Sequence, residues 1–127
     1  MQQQTLLDAA REGDLTNVQA IVSSGIDVNW RDEHDRTALM KASKYGHLEV
    51  AKFLLDQGAE IDMPDNRGTT ALYWAVEKSH KDVVTLLLAH GADTHVSDDR
   101  GWTPLDHAKA SHSNELAELL EEAEAVF

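Results

Sequence analysis

Apolar residues recur along this chain in short bursts separated by polar, glycine-marked breaks. Leu39 and Ala42 form one burst, and Val50, Ala51, Leu54 and Leu55 form the next, at spacings of three and four. Such spacing puts each set on one side of an α-helix, so the pattern predicts pairs of short helices, each with a single buried face. The pattern also repeats. A shift of 33 residues aligns residues 36–68 with residues 69–101 without a gap, and thirteen of the thirty-three positions are identical, from Thr37/Thr70 and Leu39/Leu72 through His47/His80 and Leu54/Leu87 to Gly68/Gly101. The register extends back to Leu6, Ala9, Gly13, Leu15, Ile21, Val22 and Gly25, and forward to Thr103, Leu105, Ala108, Leu116 and Leu120. The expected fold is therefore all-α, a stack of four helix-turn-helix units over residues 1–35, 36–68, 69–101 and 102–127 that together make one domain.

Local chemistry agrees with those boundaries. Gly46 and Gly58 sit where helix ends commonly need positive φ, Asp14 and Ser113 sit where a side-chain oxygen can cap a second helix, and Pro104 opens a first helix. Asp65-Asn66-Arg67-Gly68 and Asp98-Asp99-Arg100-Gly101 are strong turn sequences, expected to project from the stack.

These residues resemble the ankyrin repeat. Its signature segment is matched by Thr37-Ala38-Leu39-Met40, Thr70-Ala71-Leu72-Tyr73 and Thr103-Pro104-Leu105-Asp106, and its loop by Gly58-Ala59-Glu60 and Gly91-Ala92-Asp93, in phase over roughly Thr5 to the C-terminus. The resemblance implies an ankyrin-repeat solenoid with projecting β-turns. It also carries departures. The family's signature histidine is replaced by Met40, Tyr73 and Asp106, which puts in question the bonds it makes between units. Ser79 and His112 stand in the slot of Gly46, where a left-handed backbone costs a non-glycine residue about 1–2 kcal/mol, so units three and four are expected to be looser there. Both ends read as caps, with glutamines at Gln2 to Gln4, and with Glu121 in place of a core leucine.

Charge narrows the partners. A formal net charge of -12 opposes nucleic acid and anionic membrane surfaces. The absence of cysteine rules out disulfides and thiolate metal sites and fits a reducing compartment. No basic region followed by an apolar run opens the chain, and no stretch approaches the ~20 apolar residues of a membrane span. The expected protein is cytoplasmic, unanchored and monomeric.

In the family, partners bind the concave side formed by the turns and the solvent face of the first helices. Position by position, this implies a partner-binding strip of Arg36, Lys41, Lys44, Tyr45, Arg67, Trp74, Lys78, Arg100 and Trp102, with Arg11, Glu12, Arg31, Glu33, His34, Asn66, Thr69, Glu77, Asp99 and His107 on the same surface. Eight of the eleven basic residues fall there, while the acidic excess lies on second helices and loops, as at Glu49, Asp56 and Asp82. Exposed tryptophan, tyrosine and arginine are the types that dominate interface energetics. The leading function is an adaptor or inhibitor whose partner presents acidic and apolar groups. Arg67 and Arg100 also read as ordinary turn residues, Trp74 as a cover for neighbouring helices, and Trp30 as packing. Two other readings stand beside this one: a stand-alone, designed or evolved repeat scaffold without a natural ligand, and a nucleic-acid binder that uses the basic strip.

No phosphate loop, nucleophile elbow or convergent acid/base pair is present, so no catalytic residue and no cofactor are assigned. His47 and His80 repeat in one structural slot, His107 and His112 are five apart rather than three or four, and the run Asp32-Glu33-His34-Asp35 lies in a turn, so no metal site is expected. From the resemblance alone, Asn29 matches the loop asparagine hydroxylated in some animal ankyrin proteins.

Overall fold

The computed structural model describes residues 2–126. Eight helices follow one another: α1 (Gln2–Glu12), α2 (Leu15–Ser23), α3 (Ala38–Lys44), α4 (Leu48–Asp56), α5 (Ala71–Glu77), α6 (Lys81–Ala89), α7 (Pro104–Ala110) and α8 (Asn114–Val126), with no strand among the described residues. They form four hairpins. First helices contact one another in the order α1, α3, α5, α7, second helices in the order α2, α4, α6, α8, and each first helix also packs on its own second helix.

The first helices begin where they do because of a threonine. Thr37, Thr70 and Thr103 are extended, and their hydroxyls accept the backbone N–H of Met40 (3.3 Å), Tyr73 (3.4 Å) and Asp106 (3.2 Å). Each such cap stabilises its helix by about 1 kcal/mol. Asp106 answers by accepting the N–H of Thr103, which completes a capping box with Pro104 in the first turn. Among the second helices, α2 is capped by Asp14, whose carboxylate accepts the N–H of Asn17 at 3.1 Å.

The core lies between the two layers and has the 33-residue period of the sequence. Ile21, Leu54, Leu87 and Leu120 form one buried column, and Ala9, Ala42, Ala75 and Ala108 form another, whose small side chains let the first helices approach closely. Burial of each such leucine contributes roughly 1.5–3 kcal/mol. Trp30 packs against this core, and Glu121, in the row of the half-buried Leu55 and Leu88, is exposed.

Neighbouring units are bonded to one another by a histidine of a different slot from the signature histidine. The Nε2–H of His47 donates to the carbonyl of Arg11 (2.7 Å), and that of His80 to the carbonyl of Lys44 (3.0 Å), so each ring satisfies a carbonyl at the end of the preceding first helix. Met40 and Tyr73 are buried. Ser79 and His112 do adopt the left-handed backbone, at φ 60° and 59°, so the helix-end geometry is kept in units three and four rather than relaxed. Asp35 joins them at φ 62°.

Candidate protein-binding face

Three aspartates at intervals of 33 residues build the rim of this face. Asp32, Asp65 and Asp98 are buried, and Oδ1 of each accepts two N–H groups of its own turn: from His34 and Arg36, from Arg67 and Thr69, and from Arg100 and Trp102, all at 2.9–3.0 Å. The turns are also joined to one another, since Asn66 N–H donates to His34 O (3.0 Å) and Asp99 N–H to Arg67 O (2.8 Å). Asp32 is thus a scaffold residue of its turn. Among the described residues no group of three or more His, Asp or Glu side chains converges as a metal would require.

The second carboxylate oxygen differs between turns. Arg36 Nε lies 2.8 Å from Asp32 Oδ2, and Arg100 Nη2 lies 2.9 Å from Asp98 Oδ2. Burial pushes Asp98 up, but the N–H of Trp102, the side chain and N–H of Arg100 and the Tyr73 hydroxyl outweigh it and hold the carboxyl at about 2. Asp32 is lowered in the same manner, with burial opposed by the N–H groups of Arg36 and His34 and by the Arg36 guanidinium. Burial and the neighbouring Asp98 carboxylate push Tyr73 the other way, above its ordinary value.

On the first helices, cations and aromatic rings interleave. Lys44 Nζ stands 4.6 Å from the ring centre of Trp74 in the next unit and 5.5 Å from that of Tyr45, while the Arg11 guanidinium of the preceding unit stands 5.4 Å from Tyr45. Such contacts contribute about 0.5–1 kcal/mol each at exposed sites and hold the rings in place. Burial raises Tyr45, but Lys44, Arg11 and Lys41 together bring its hydroxyl below the ordinary value. Half-buried Lys41 is lowered by burial first and then by Arg36 and Lys44. A second cluster lies further along the stack, where Arg100 stands 5.6 Å from the ring centre of Trp102, and His107 lies 5.6 Å from Tyr73 and 6.3 Å from Trp102.

Two clefts open on either side of Trp74. One, of about 440 Å³, is lined by His34, Arg36, Asp65, Asn66, Arg67 and Trp74. The other, of about 250 Å³, is lined by Arg67, Thr69, Tyr73, Trp74, Glu77, Asp98, Asp99 and Arg100. Arg36, Arg67, Trp74 and Arg100 therefore come together in these clefts, and Lys41, Lys44 and Tyr45 gather in the neighbouring basic cluster. Trp102 joins Arg100. Lys78, exposed at the C-terminal end of α5, lines neither cleft. Tyr45 and Trp102 are each 38% exposed, whereas Trp74 is half-buried and so covers its neighbours as well as facing outward. Tyr73 belongs to this face without having been legible in the sequence, because it occupies a core slot and only its hydroxyl reaches the turn above.

Asn29 has a structural role: its Oδ1 accepts Glu60 N–H at 2.8 Å and its Nδ2 donates to Gly58 O, tying two consecutive loops together.

An all-helical solenoid with linked turn tips and a basic, aromatic strip along its first helices defines a class of repeat protein. The family described as ankyrin repeats, in three copies, matches residues 6–98, and the chain belongs to that family. The pair α7–α8 lies beyond the matched residues. A comparison with curated proteins gives no match. Ankyrin repeats are in general modules that bind other proteins and are typically not enzymes. Among the described residues no helix is long and apolar enough to cross a membrane.

Proposed function

We propose that this chain is an adaptor or inhibitor that holds a partner protein against the face made by its first helices and turn tips. The observation that carries the reading is the Lys44 ammonium set between the rings of Trp74 and Tyr45, beside two clefts, on the face where most of the basic residues gather. Aromatic side chains held in place on a rigid scaffold lose little entropy on binding. The locally basic strip favours a partner surface with acidic groups, and the rings favour apolar ones. The binding form is a cytoplasmic monomer.

The reading is tested by replacing Trp74 and Trp102 together with alanine. Affinity for a partner captured from the source cell should fall tenfold or more, about 1.4 kcal/mol, with the melting temperature nearly unchanged. A folded double variant that binds as tightly as the parent removes the proposed face.

A further inference from the structure

Of the arginines along the turns, Arg31, Arg36 and Arg100 have side-chain partners within the chain, and Arg67 is open. Arg36 is paired with Asp32, and Arg100 with Asp98. Arg100 has a further acceptor, because its Nη2 also donates to the Tyr73 hydroxyl at 3.2 Å. Arg67 holds the same place in its own turn, two residues after Asp65, and its N–H bonds to Asp65 as that of Arg100 does to Asp98. The position of Tyr73 one unit earlier is Met40, however, and a thioether is at best a weak acceptor. Nothing there draws the Arg67 side chain back onto its aspartate. Among the described residues its guanidinium has no hydrogen bond or ion pair, it is exposed, and it lines both clefts beside Trp74.

We propose that Arg67 fixes the register of the partner by taking a carboxylate from a segment whose neighbouring apolar side chain lies on Trp74. The inference rests on the reading of this face as the binding face and narrows it to one charge contact. A guanidinium fork matches a carboxylate with two parallel hydrogen bonds, which orients as well as attracts. Glu77, Asp98 and Asp99 line the same cleft as Arg67, so a singly charged carboxylate meets less repulsion there than a doubly charged phosphate does. Arg36 and Arg100 are already charge-paired within the chain by Asp32 and Asp98, so a partner carboxylate gains less at either one than at Arg67.

A short fluorescent peptide of alternating glutamate and leucine, with a glutamine–leucine peptide as control, is the probe. Wild-type protein should bind the glutamate peptide, Arg67→Gln should weaken it by about tenfold or more, and Lys52→Gln, which removes an exposed cation of α4 away from the clefts, should change it by less than about threefold. Met40→Tyr, which supplies the acceptor that Arg100 enjoys, should weaken it as Arg67→Gln does. The glutamine control should bind wild type and Arg67→Gln alike. No binding of the glutamate peptide by wild type, or equal losses in Arg67→Gln and Lys52→Gln, overturns the inference. Trp74→Ala separates the two levels: if it abolishes binding while Arg67→Gln does not, the face stands and Arg67 loses its role; if the peptide binds and neither change matters, the face itself is wrong.

Discussion

The imidazole of His80 lies against Gly46 of the preceding unit, so closely that a Cβ placed on Gly46 would stand 2.5 Å from His80 Nδ1. The same relation joins His47 to Gly13. Glycine is thus needed at Gly46 twice over, for its φ of 74° and for the ring above it. Gly46→Ala should cost about 2–3 kcal/mol in urea unfolding, through left-handed strain and the lost His80 hydrogen bond. Gly58→Ala is the control, since φ there is 91° but nothing lies within 4 Å, and it should cost only the strain, about 1–2 kcal/mol. Equal losses at the two positions would show that the ring contact is irrelevant.

Ser79 tolerates the slot of Gly46 because the next unit carries Ser113 where a histidine would stand. Ser79→Gly should therefore stabilise the protein by about 1 kcal/mol through relief of backbone strain. Ser113→His alone should gain nothing, because its ring would meet the Ser79 side chain. Combined with Ser79→Gly, it should restore a bond to the Glu77 carbonyl and give a favourable coupling of about 1 kcal/mol in a double-mutant cycle. Strict additivity would refute the pairing.

The Asp98 carboxyl, held at about 2 against an ordinary 3.8, links the last turn to pH. A depressed acid pKa stabilises the folded state above the unfolded value, and this contribution is lost as pH falls from 3.8 toward 2. With allowance for solvent screening at a turn, it amounts to about 1–2 kcal/mol at neutral pH. Asp98→Asn should lower stability at pH 7 and flatten its decline across that acid window. A variant with an unchanged acid limb would mean that Asp98 is not held low in the folded state.

Much of the fold was legible because single residues fix single geometries. The 33-residue period, the capping Thr37, Thr70 and Thr103, and the turn aspartates each act within a few residues of themselves, so the sequence displays them directly. What stayed hidden depends on pairs distant in the chain. Ser79 and His112 looked like weak points when read alone, yet whether a side chain fits at Ser79 is decided at Ser113. Likewise Arg67 and Arg100 hold the same place in similar turns, and the buried Tyr73, 27 residues before Arg100, gives Arg100 an acceptor that Arg67 lacks. The basic strip could be assigned to a face, whereas the sharing of Lys44 between Tyr45 and Trp74 needed three dimensions.

Ser43 is fully buried in α3, and its hydroxyl has no hydrogen-bond partner. The corresponding positions of the first and third units, Ala10 and Val76, are buried and apolar. An unsatisfied buried hydroxyl costs about 1–3 kcal/mol, and alanine is also the better helix former, so Ser43→Ala should raise stability by about 1 kcal/mol in thermal or urea unfolding. A less stable Ser43→Ala protein would reveal a bond made by that hydroxyl.

The three tryptophans supply their own test of the binding face, because Trp74 and Trp102 stand on it while Trp30 packs against the core. Each indole N–H gives a separate resonance in a ¹H–¹⁵N spectrum, recorded as a captured partner is titrated in. The Trp74 and Trp102 signals should shift or broaden to saturation while Trp30 stays in place. Movement of Trp30 alone, with Trp74 and Trp102 fixed at saturation, would contradict the proposed face.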